Sequence, residues 1–148
     1  MIRSFITRDL NDTMSIWLES SIASHPFIES SYFVKNYEKF MREQLLENKS
    51  FVYELDGKIV GFISVKENMV IAALNVAKEY QKKGIGEKLL DYAIEKYQQL
   101  SVEVYRENKE ASEFFTDNGF VVLGLNMDDE NQQELQVMMY SQEPSNRN

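Results

Sequence analysis

The clearest chemistry in this chain lies in the stretch Tyr80-Gln81-Lys82-Lys83-Gly84-Ile85-Gly86. An apolar, strand-like run precedes it (Val70 to Val76). A helical pattern follows, with Ile85, Leu89, Leu90, Ala93, Ile94 and Tyr97 on one face and Glu87, Lys88, Asp91, Glu95 and Lys96 on the other. Strand, glycine turn and helix in that order build an anion site. The first N–H groups of a helix have no carbonyl partner within it, and the helix dipole adds partial positive charge there. Without a Cβ at Gly84 and Gly86, a phosphate can come close to the backbone. Two familiar phosphate loops do not fit. A dinucleotide fingerprint needs a small residue where Leu89 stands, and a P-loop needs Lys-Ser/Thr where Glu87 follows Gly86.

Positioning such a loop requires a sheet with helices on it, and the rest of the chain supplies the pattern. Ile2 to Ile6 reads as a first strand. Asp9 is placed to cap a helix with Leu10, Met14, Trp17, Leu18 and Ile22 on one face. Pro26 ends that helix, because the residue before a proline avoids helical geometry. Ser30 or Ser31 starts a second, with Phe33, Tyr37, Phe40, Met41 and Leu45 inward. Phe51–Leu55 and Lys58–Val65 flank Asp56-Gly57, a two-residue hairpin signal, and Met69 to Val76 extends the meander. A strand over 101–105 after the glycine-loop helix makes a right-handed crossover and hence a parallel pair. Asn108 caps a further helix with Ala111, Phe114 and Phe115 buried, and Gly119 stops it. A final hairpin joins Phe120–Leu125 to Leu135–Tyr140 across a polar turn, 126–134.

Composition narrows the function. The 148 residues suit one domain, over 1–141, with 142–148 as a polar, flexible tail. The absence of cysteine excludes disulfides and thiolate chemistry, and a single histidine argues against a metal site. A formal net charge of −8 argues against broad nucleic-acid contact and fits a cationic substrate or plain solubility. No run approaches a membrane span, so a cytoplasmic protein, monomer or homodimer, is expected.

Gln81-x-x-Gly84-x-Gly86 resembles the acetyl-CoA loop of the GNAT (Gcn5-related) N-acetyltransferases. A second motif agrees: Asn108-x-x-Ala111-x-x-Phe114-Phe115-x-x-x-Gly119-Phe120 is similar to that family's Asn-x-x-Ala-x-x-Phe-Tyr-x-x-x-Gly-Phe. The element order β-α-α-β-β-β-α-β-α-β-β matches across essentially the whole chain, and Trp17-Leu18-Glu19-Ser20 with His25-Pro26-Phe27-Ile28 resembles its small bacterial YiaC-like branch. The resemblance implies an α/β GNAT fold: a mixed, mostly antiparallel sheet with a splayed parallel central pair and flanking helices. It also implies acetyl transfer from acetyl-CoA to an amine, with a protein lysine as one acceptor class, no metal, and direct attack in a ternary complex. Two rivals remain, a non-catalytic acyl-CoA-binding sensor and a small-molecule amine acetyltransferase.

By the same resemblance, Gln81, Lys82, Lys83, Gly84, Ile85 and Gly86 hold the pyrophosphate, and Leu74, Val76, Asn108 and Phe115 line the pantetheine gap. An amide near Val76 serves the oxyanion. Phe115 stands where the family has the tyrosine that protonates the leaving thiolate, and Tyr105 is either a substitute donor or a half-buried strand-end aromatic. The base is Glu67 or His25, each of which has an ordinary structural reading beside the catalytic one. Trp17, Phe27 and Phe33 line the acceptor wall or pack as core.

Overall fold

The computed structural model describes residues 1–141, so the expected tail, 142–148, lies outside the described residues. Seven strands form one sheet in the order β1-β2-β3-β4-β5-β7-β6: β1 Ile2–Ser4, β2 Lys49–Leu55, β3 Lys58–Val65, β4 Val70–Val76, β5 Ser101–Tyr105, β6 Phe120–Asp128 and β7 Gln133–Tyr140. Every neighbouring pair is antiparallel except β4–β5. The expected sheet is therefore the observed one.

Helices cover both faces. On one side lie α1 (Leu10–Ser24), α2 (Ser30–Lys35) and α3 (Tyr37–Lys39), the last running into a wide π-helical turn, Phe40–Leu46. Met14, Ile16, Phe40, Leu45, Val52, Ile59 and Phe62 form the core there. On the other side α4 (Ile85–Tyr97) and α5 (Lys109–Asp117) bury Ile85, Leu89, Leu90, Ala93 and Phe115 against β3 to β5. The α4 stripe read from the sequence is this one. Its approach to the sheet is close: a Cβ on Gly61 of β3 would stand 3.2 Å from Leu89 Cδ1 and 3.1 Å from Asn75 O.

Several boundaries differ from the sequence reading, each for a tertiary reason. Asp9 does not cap α1: its carboxylate receives Arg3 at 2.8 and 2.9 Å and the Ile6 N–H at 2.9 Å, and Arg3 also reaches Glu54. The first strand stops at Ser4 because Thr7–Asp9 forms a 3-10 turn closed by those bonds. The buried residues of α1 are Thr13, Met14, Ile16, Ser20 and Ser21, shifted from the expected stripe because the sheet lies against that flank. The single second helix is broken into α2, α3 and the π turn. The polar turn shrinks to 129–132, because β6 and β7 stay paired out to Asp128↔Gln133.

One irregularity sets up the site. Ser64 pairs with Ala73 but Val65 with Ile71, so Ala72 is an extra residue in β4. A bulge of this kind bends its strand. Beyond it β4 leaves β5: the parallel pair holds only at Val70↔Ser101 and Ile71↔Val102, while β4 stays with β3 to Val76 and β5 with β7 to Tyr105. The two central strands splay.

Candidate active site

The splay opens a cleft of about 960 Å³ that passes from one face of the sheet to the other. On the α4–α5 side it is lined by Gln81, Lys82, Gly84, Gly86, Asn108 and Phe115; on the α1 side by Ser20, Pro26 and Phe27; and between them by Leu74 and Val76.

Backbone groups line the opening because the strand partners leave them over. Ala77 N–H donates to Val60 O at 2.8 Å, and bonded positions alternate along an antiparallel pair. Asn75 therefore faces β3, while the N–H and C=O of Leu74 and Val76 face the gap. The Val76 carbonyl is already engaged, by Gln81 Nε2 at 2.9 Å and Ser20 Oγ at 3.4 Å. Its N–H points into the opening.

The glycine loop meets the same gap. Gly84 has φ +83° and Lys82 φ +63°, a left-handed path that turns successive N–H groups to one side. The first helical bond of α4 runs from Lys88 N–H to Gly84 O, so the N–H groups of Lys82 to Glu87 have no carbonyl partner among the described residues. A Cβ on Gly86 would touch Phe114 Cζ at 3.6 Å and Val76 Cγ2 at 3.7 Å, which puts the loop at the strand end. Six free amides, a helix N-terminus and the lining cations Lys78, Lys82 and Lys109 make this end fit a pyrophosphate. Lys83 lies over the Tyr80 ring at 5.5 Å, and Ile85 gives only its amide, its side chain being core.

The other end is aromatic. His25 Nδ1–H donates to Ser21 O at 2.7 Å, and its Nε2 lone pair accepts a hydrogen bond from Asn108 Nδ2 at 3.4 Å. Burial lowers the His25 pKa, the bond to Ser21 opposing this in part, so the ring is neutral near pH 7. Asn108 is fixed in turn, its Oδ1 accepting the Ala111 N–H at 3.2 Å. Phe27, Phe33 and Tyr105 surround His25 with ring centroids 5.2–5.5 Å away.

Tyr105 donates its hydroxyl proton to Asp128 Oδ2. Burial, then this bond, raise its pKa far above the usual phenol value. A proton held so firmly is a poor one to give a leaving thiolate. Asp128 itself was not singled out in the sequence, because it stood in what read as an ordinary polar turn.

Of the expected catalytic and acceptor-wall residues, His25, Tyr105, Glu67, Trp17 and Phe33 do not line the cleft, although His25 adjoins Asn108 and Tyr105 adjoins Phe27, which do. Glu67 is exposed in the β3–β4 turn, next to Met69, whose carbonyl accepts Ser101 N–H at the closed end of the splay. It does not line the cleft, because β4 carries the chain away from it. Trp17 stacks on Phe40 (4.4 Å, 8°) inside the α1–α3 core and also lies outside the lining. Phe33 is buried behind His25, so of the three proposed wall aromatics only Phe27 borders the cleft. Phe115 does border it, while packing edge-on against Phe120 at 5.1 Å. Among the described residues no group of three or more His, Asp or Glu side chains is close enough to hold a metal ion.

Residues 15–139 match the family described as Acetyltransferase (GNAT) domain. The peptidyl-lysine N-acetyltransferase YiaC of Escherichia coli strain K12 is 33% identical over 141 residues, covering 95% of this chain and 96% of that protein. Among solved structures, apo YjaB from Escherichia coli superposes with a TM-score of 0.82 at 24% identity, over 97% of this chain and 98% of that one. A GCN5-related N-acetyltransferase from Rhodopseudomonas palustris does so at 0.81 and 22% identity, over 96% and 95%. These two likenesses concern the fold.

Proposed function

The chain belongs to the GNAT acetyltransferase family and is an N-acetyltransferase, and from that premise we propose that it moves the acetyl group of acetyl-CoA to a lysine side chain of a polypeptide. GNAT enzymes use acetyl-CoA as co-substrate. The observation that carries the reading is the cleft through the sheet, amide-rich on one side and aromatic on the other. It gives the thioester and the amine opposite doors to one gap. The lysine acceptor is supported by the 33% identity to a peptidyl-lysine acetyltransferase and by the net charge of −8, which favours basic partners.

The residues divide the work as follows. The N–H groups of Lys82 to Gly86 bind the pyrophosphate, each amide–anion bond being worth ~1.5–3 kcal/mol. Leu74 and Val76 offer strand-like backbone bonds in the gap. Val76 N–H donates to the carbonyl oxygen as negative charge develops on it. His25 Nε2 takes the amine proton once the amine displaces Asn108 Nδ2 from its lone pair: the ring is neutral and its other nitrogen is tethered to Ser21. The thiolate leaves without a dedicated acid, since a thiol of pKa about 8.5 is already a good leaving group near neutral pH. With no cysteine in the chain, attack is direct and no acyl-cysteine forms.

Thiol release from acetyl-CoA tests the proposal, measured with lysine peptides beside polyamines and aminoglycosides. Turnover of lysine peptides above the small amines is expected. Preference for a small amine would reassign the acceptor.

A further inference from the structure

We propose that Tyr105 and Asp128 form the recognition site for the acceptor's ammonium group, Tyr105 touching it and Asp128 acting through Tyr105 as a positioning residue. This inference rests on the lysine reading above, and deepens it by naming what distinguishes a cationic side chain from a neutral one.

Tyr105 ends β5 beyond the point where β4 departs, among the aromatic residues of the α1–α2 connection. Its one hydroxyl proton goes to Asp128 Oδ2. Asp128 cannot swing away, because other donors converge on it: Glu130 N–H at 3.2 Å and Asn131 N–H at 3.4 Å on Oδ1, and Asn131 Nδ2 at 2.9 Å on Oδ2. That many donors favour an ionised carboxylate. With its proton committed to Asp128 and the Asn131 side chain donating to the same oxygen, the phenol has a lone pair left to offer. Whatever meets it must bring a donor, and an ammonium group brings three. The carboxylate behind the phenol polarises it in the direction that suits a cation.

The walls agree with that ligand. His25 and Phe27 stand edge-on to the Tyr105 ring at 5.2 and 5.7 Å, and Phe27 borders the cleft. Aromatic walls suit the four-carbon stem of lysine, and ring faces attract its charge. The other titratable groups nearby do not compete for Tyr105. Glu103, on the same strand, is exposed and takes Asn126 Nδ2 at 3.0 Å. Tyr32 is held protonated by burial and by the charges of Asp128 and Glu130, and Arg106 turns to Glu134 at 2.9 Å. The amine would lie beside His25, the residue that takes its proton.

Matched peptides test this with the full chain. A lysine peptide serves as substrate, and the same peptide with norleucine in its place as competitive inhibitor, so that only the ammonium differs. In the parent, the KM of the first should be at least tenfold below the Ki of the second. Asp128→Asn keeps an oxygen for the turn amides, and Tyr105→Phe keeps the ring. Both should raise KM for the lysine peptide tenfold or more, with the loss falling on KM rather than kcat. The norleucine Ki and the calorimetric affinity for acetyl-CoA should stay where they were. The two variants remove different halves of the pair, so one that fails to fold leaves the other to decide. Unchanged KM in the folded variants, or equal weakening of both peptides, overturns the proposal. A parent that binds acetyl-CoA and turns over no lysine peptide overturns the acceptor reading itself, and this site with it.

Discussion

Asn108 joins the two ends of the cleft: its Oδ1 caps α5 through the Ala111 N–H, while its Nδ2 stands 3.4 Å from His25 Nε2. The helix that borders the thioester side thus sets the environment of the residue on the amine side. Asn108→Asp separates the two jobs. Aspartate caps as well as asparagine, so stability should hold within about 0.5 kcal/mol. A carboxylate facing Nε2, however, favours the imidazolium and raises the lowered His25 pKa. A base works only when neutral, so activity should fall away at higher pH in the variant than in the parent. The kcat/KM profile against pH checks this. An acid limb that does not move would remove His25 from the proton-accepting role.

The loop at 82–86 makes a different prediction. Gly84 has open space around it but φ +83°, so a side chain there costs about 1–2 kcal/mol of backbone strain and disturbs the loop itself. Gly86 is the cleaner probe. A Cβ there makes only ordinary contacts with Phe114 and Val76, so Gly86→Ala should fold normally while crowding the approach of a pyrophosphate to the loop amides. The loss of even one amide–anion bond corresponds to roughly 10- to 150-fold weaker binding. Calorimetry with acetyl-CoA reads this directly, and unchanged affinity in a folded Gly86→Ala would move the nucleotide elsewhere.

Arg3, Asp9 and Glu54 tie the start of the chain to β2. The bond to Arg3 leads in holding the Asp9 carboxyl below its usual range, against the cost of burial. A carboxyl depressed in the folded state contributes fully above its unfolded pKa of about 3.9, and the contribution fades as pH drops through the folded value. Asp9→Asn should therefore lower stability by roughly 2–3 kcal/mol at pH 7, with the gap to the parent narrowing as the pH falls below about 4. Urea midpoints at pH 7 and pH 3 make the comparison. A gap of equal size at both would assign the effect to packing rather than charge.

What could be read from the sequence was local or periodic. The α4 stripe, the Asp56-Gly57 hairpin and the Asn108 cap each express a rule that acts over a few residues, and β5 fell on its observed bounds. What escaped depended on partners far along the chain. Asp9 read as a cap because its true partner, Arg3, is brought to it by the pairing of β1 with β2. The extra residue Ala72 has no signature in an apolar run, yet it bends β4 and opens the cleft. Glu67 is a reasonable base by sequence alone, but the bend opens the other end of the strand. Asp128 stands 23 positions from Tyr105, so only the folded sheet makes them a pair.

Phe115 stands where the family motif has tyrosine, and its ring both borders the cleft and packs edge-on against Phe114 and Phe120 at 5.3 and 5.1 Å. Tyr105 gives its hydroxyl proton to Asp128, which leaves it none to offer a leaving thiolate in this arrangement. If thiolate departure needs no acid, Phe115→Tyr should raise kcat by a factor of about 10 or less. General acid catalysis is typically worth ~10²–10⁴-fold, but its full value belongs to poor leaving groups. The ring keeps its packing and the new hydroxyl meets the cleft, so stability should change by less than about 1 kcal/mol. The decisive readout is the rate with acetyl-CoA beside the rate with a thioester of a more acidic thiol. When departure is not limiting, the variant gains little with either. A rise of ~10² or more, confined to acetyl-CoA, would show instead that the natural chain turns over slowly for want of that acid.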